Sequence, residues 1–241
     1  MALDLYAGPL CRYLARDFTS PLEKVFGPGK VTTLGVRGQS LGKANPREFM
    51  MPVSAWRRKI EPLLGPQKTG TAAGAAAQWL ESASGPVWCE QLTQSGLDAL
   101  RLHAAYLTIP ELTRPDQMPE NMLADPAWHV AVEDPENSAY PALFFCDLWL
   151  PLAFNGPVAV PAFPNRVGDT VILAATRHLM SELLDINQKS WKLNHREPQS
   201  WEGASSAFQV PLDNWALNAW QLLMAALIHS ITHNVPVVLD G

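Results

Sequence analysis

A carboxylate set beside a guanidinium and a phenol can grip an anion or move a proton, and this chain opens with such a set. Asp4, Tyr6, Arg12, Tyr13, Arg16 and Asp17 all lie near its start. Residues 2–8 alternate and stop at Gly8-Pro9, as a short strand does. Alternate strand residues share a face, so Asp4 and Tyr6 can meet Arg12 or Arg16 across that turn. The result is either a structural ion pair, the commoner outcome, or a ligand clamp. Two further aspartates belong to apolar runs: Asp147 within 143–150, on one face with Phe145 and Trp149, and Asp240 after Val237-Val238-Leu239. Burying a carboxylate there is costly unless it is paired. Ligands of open sheets collect at the carboxyl ends of strands. If the strands are neighbours, Asp4, Tyr6, Arg12, Tyr13, Asp147, Trp149 and Asp240 form one binding site. Local capping or pairing of each aspartate is the plainer alternative.

His229 and His233 are four apart, so both project from one helix face, a spacing that suits a metal pair. Ser230 follows His229 directly, so the carboxylate of the zincin motif is missing. A third ligand would have to come from His178, His103 or His195. The expectation is no metal, with His233 well placed near a helix C-terminus. Residues 81–85 lack the first glycine of a nucleophile elbow. Gly27-Pro28-Gly29-Lys30 has neither the spacing nor the following serine of a phosphate loop, and no dinucleotide fingerprint occurs. No cofactor is expected.

The 241 residues are 47% hydrophobic, ample for a core. Net charge is −5, and the basic residues are scattered apart from Arg57-Arg58-Lys59, so a nucleic-acid partner is not expected. The start lacks the pattern of a secretion signal. The most apolar stretch, 215–231, is broken by Asn218, Gln221, His229 and Ser230, so no membrane partner is expected either. Cys11, Cys89 and Cys146, odd in number and far apart, point to a reducing cytoplasm rather than a disulfide framework. Nine tryptophans suit a thick core or a concavity with aromatic walls.

Periodicity and punctuation then predict the positioning elements. A strand at 2–7 is followed by one at 31–36 and by a helix over 52–64 that starts at Pro52, with Val53, Trp56 and Ile60 inward. The Ala-rich stretch 71–82 reads as helix, and 87–107 as a stronger one, ended by Pro110. Residues 110–141 read as a loop, punctuated by prolines and frequent in Asp and Glu, with Trp128 arguing for order by packing. Next come the apolar strand 143–150, a short strand at 158–160, and a helix capped by Gly168-Asp169-Thr170 and running to Trp191. Residues 194–211 read as polar loop. A long amphipathic helix closed by Asn234 leads into a last apolar strand, 235–240. Five or six helices and four to six strands make a single α+β, or mixed α/β, domain over 1–241, a small central sheet covered by helices. A split near residue 110 is the alternative.

Leu3-Asp4-Leu5-Tyr6-Ala7-Gly8, followed by Leu10, Arg12 and Tyr13, resembles the opening of a family of uncharacterised bacterial proteins. Trp149-Leu150-Pro151 and Pro236-Val237-Val238-Leu239-Asp240 resemble that family's mid-chain and C-terminal segments, while Ala2, Cys11 and Leu14 depart from it. The resemblance implies a bacterial cytosolic origin and no reaction. With no catalytic signature, the chain reads as a non-enzymatic binding protein. An immunity protein that neutralises a toxin is one example, its acidic charge steering it to a basic partner. The alternative is an enzyme of unassigned type with an Asp/Arg/Tyr pocket built from Asp4, Arg12, Tyr13, Asp147 and Asp240.

Overall fold

The computed structural model describes residues 2–18, 44–64, 79–164, 168–193 and 211–240, and within them six strands form one sheet. In spatial order these are β2 (Trp88–Thr93), β1 (Ala2–Ala7), β6 (Val237–Asp240), β3 (Leu148–Leu150), β5 (Thr170–Ala175) and β4 (Val158–Pro161). Every neighbouring pair is antiparallel except β3 and β5. Seven α-helices accompany them among the described residues: α1 (Leu10–Leu14), α2 (Pro46–Ile60), α3 (Gln94–Thr108), α4 (Pro126–Glu133), α5 (Pro141–Phe145), α6 (Thr176–Lys189) and α7 (Leu212–His233). None of them is long and apolar enough to cross a membrane.

The strand period of two divides the core. Leu3, Leu5, Ala7, Trp149, Ala174, Val237 and Leu239 face a thick layer built on α3 to α7. Tyr6, Leu148, Leu150, Leu173 and Val238 face a thinner layer with α1 and α2, closed by Trp56, Trp79 and Phe163. The outcome is a single α+β domain with helices on both faces, which is why β3 and residues 237–239 of β6 are apolar.

Local chemistry sets most element ends. β1 stops at Gly8 because the Tyr6 ring folds over it: the hydroxyl donates to the Pro9 carbonyl at 2.8 Å, and a Cβ on Gly8 would lie 2.5 Å from that oxygen. Thr93 caps α3 by accepting from the Gly96 amide. Asn234 ends α7 in the left-handed region, φ 54°, with its amide donating to the Ser230 carbonyl.

Several predicted boundaries differ. α2 begins at Pro46, capped by Asn45, so Pro52 lies inside the helix and 61–64 tighten into a 3-10 turn. Residues 87–107 divide into strand β2 and helix α3, because β1 supplies a pairing partner that helical spacing ignores. Residues 143–150 are not one strand: Pro141 starts α5, and only Leu148–Leu150 pair in the sheet. A short apolar run fits a buried helix as well as a strand. Thr170 likewise opens β5, not a helix, and α6 starts at Thr176. Residues 110–141 hold α4 and a 3-10 turn at Met122–Ala124, with Trp128 packed edge-on to Phe144 at 5.4 Å. Trp79 to Ser82 are not helical; 31–36, 71–78 and 194–210 lie outside the described residues.

Candidate functional site

Antiparallel pairing of β1 with β6 sets Asp4 directly opposite Asp240. Both alternate with residues of the thinner layer, Tyr6 and Val238, so the two carboxylates share that face at one end of the sheet. Like charges directly opposite disfavour each other. Burial, and next the Asp240 charge, push the Asp4 carboxyl up; Arg16 and a hydrogen bond from Gln91 oppose this. The Tyr13 hydroxyl, carried over by α1, donates to Asp240 Oδ2. Its ring is held by Tyr6 at 5.4 Å and by Phe163 at 5.9 Å. Asp4, Tyr13 and Asp240 therefore converge, and such a group can hold or pass a proton.

The remaining expected members do not join them. Arg12 is fully buried and points elsewhere: Nε and Nη2 bind Asp17 Oδ2 at 3.1 and 2.9 Å, and Nη1 donates to the Gly85 carbonyl at 2.5 Å. It is a structural tie. Tyr6 is fully buried under the Pro9 turn, where burial pushes its phenol well up. Trp149 lies in the thick layer with its indole N–H on the Ala142 carbonyl. Asp147 stands just before β3 and faces Arg101 of α3 at 3.7 Å, on the other side of the sheet from Asp4. One pocket built from all seven residues is thus ruled out by strand alternation. A hollow of about 670 Å³ lies beyond α6, lined by Leu184, Asn187, Gln188, Lys192 and Leu193, and contains none of them.

Three polar arrangements were not visible in the sequence. Glu81 accepts from the amides of Leu10 and Cys11, clamping the start of α1 from about seventy positions away, and also takes the Trp79 indole N–H. Glu182 does the same for α5 through the amides of Ala142 and Leu143, at 2.9 and 2.8 Å. Burial pushes both carboxyls up, Glu182 to about 8, while the amides pull them down. His103, 1% exposed, stacks on Trp191 at 4.6 Å and meets Asp213 at 3.1 Å, with Arg114 bridging to Asp213 at 2.7 Å. Burial and the Arg114 charge push this imidazole down to about 4. No sequence signal predicts partners so far apart.

The charge distribution was legible. Residues 110–141 hold seven acidic side chains and one arginine, a net −6 against −5 for the whole chain, so all other residues together carry +1. Asp125 is spent on capping α4 and on the Tyr106 hydroxyl. Glu111, Asp116, Glu120, Glu133, Asp134 and Glu136 are exposed, as are Leu123 (64%) and Val130 (56%). Exposed acidic and apolar side chains in one stretch of chain suit a basic protein partner. No protein-family model matches the chain, and no curated protein or solved structure matches it either.

Proposed function

We propose that this chain is a non-catalytic binding protein of the immunity type, which takes a basic protein such as a toxin on the surface of residues 110–141. The observation that carries this reading is the charge segregation: the segment holds more than the whole net negative charge, and six of its acidic side chains are exposed, as are Leu123 and Val130. Opposite charge speeds encounter and disfavours wrong partners. Phosphates are repelled by such a surface, so nucleic acid is not the proposed partner. The bacterial cytoplasm, implied by the resemblance and by the cysteine usage, is the proposed setting.

The test is binding to the protein encoded beside this one, with Glu120, Glu133 and Glu136 all changed to Lys. Exposed substitutions of this kind alter stability by only about 0.5 kcal/mol. The native chain should associate at a rate that falls with salt, and the variant at least about tenfold more slowly. Absence of binding, or equal rates for both, overturns the reading. Convergence of Asp4, Tyr13 and Asp240 favours a second reading, acid–base catalysis. It requires a reaction that Asp240→Asn abolishes in a folded protein.

A further inference from the structure

We propose that His229 and His233 form a two-histidine chelate for a divalent first-row transition ion, such as Zn²⁺, Ni²⁺ or Cu²⁺, at the carboxyl end of α7. Their ring centroids are 4.4 Å apart. An imidazole nitrogen binds such an ion at about 2.0–2.1 Å, so two rings meeting at about a right angle on one ion have centroids about 4.5 Å apart. The observed centroid separation matches that arrangement.

The state of the first ring points the same way. Nε2 of His229 is buried and has no hydrogen-bond partner among the described residues. Imidazole donors select Zn²⁺, Ni²⁺ and Cu²⁺ over Mg²⁺ or Ca²⁺. Among the described residues no cluster of three or more His, Cys, Asp or Glu is present, so water completes the coordination and the site is weaker than a structural zinc site.

The place gives binding a consequence. The Leu80 amide donates to the Asn234 carbonyl at 2.7 Å, which ties the residue after α7 to the segment leading toward β2. An ion on the two rings would stiffen the last turn of α7, from which that tie departs.

The test is thermal unfolding of the full chain with Zn²⁺, Ni²⁺ or Mg²⁺ alone, alongside His233→Ala, His229→Gln and the exposed control His129→Ala. His233 is exposed, so its removal leaves the metal-free melt near that of the native chain. At an ion concentration ten times Kd the native chain and the control should rise by about 3–5 °C with Zn²⁺ or Ni²⁺ and not with Mg²⁺. Both site variants should lose that rise. No rise in the native chain overturns the proposal, and so does an equal rise in His233→Ala, which would mark an adventitious ion only. Should His229→Gln fail to fold, the Cu²⁺ resonance spectrum decides: two nitrogen ligands in the native chain and one in His233→Ala support the chelate, and the same spectrum in both refutes it.

Discussion

Replacing Arg12 with methionine removes the guanidinium while keeping most of the stem that fills its place in the core. What is lost includes two contacts to Asp17 Oδ2, at 3.1 and 2.9 Å, and one to the Gly85 carbonyl at 2.5 Å. The arginine side chain is 0% exposed and that of Asp17 14% exposed, so little water can take over. Breaking a buried pair from one side costs about 3–5 kcal/mol. In guanidinium chloride the unfolding midpoint should fall by roughly 0.5–1.5 M. Asp17→Asn tests the pairing. If the two residues act as a unit, the double variant should lose less than the sum of the singles by at least about 1 kcal/mol. A cost below about 1 kcal/mol for Arg12→Met, or additivity within about 0.5 kcal/mol, would show that Arg12 does not tie the Gly85 segment to α1. The ligand-clamp reading of this residue would then revive.

Two further outcomes concern titration. The folded His103 sits at about 4 and an unfolded histidine at 6.5, so between those values the unfolded chain binds more protons. Its contribution to stability is therefore full above pH 6.5 and is lost as pH falls toward 4; His103→Phe should flatten that part of the curve of unfolding free energy against pH. The folded Asp4 carboxyl is raised above 3.8, so its contribution is present below pH 3.8 and is lost as pH rises through the folded value. Asp240→Asn removes the opposing charge and should bring the Asp4 value down, as read from its side-chain carbon resonance by NMR. An unchanged Asp4 titration would mean that the two carboxylates do not interact.

The sequence by itself determined the parts whose cause is local. Alternation ending at Gly8-Pro9 made β1, and an amphipathic run closed by Asn234 made α7 and led into β6. Acid-rich composition set 110–141 apart, since charge needs no fold to be counted. Residues 87–93, 143–150 and 170–175 carried no such local cause: helical spacing carried the first into the helix that follows, and in the other two a buried strand and a buried helix demand the same residues. Tertiary structure alone decided those, by giving β2 and β5 strand partners and by holding the α5 amides with Glu182. It decided the site too. Asp4 meets Asp240 through register and Asp147 faces away through alternation, and both depend on which strands become neighbours, a matter of long-range pairing that no short window of sequence contains.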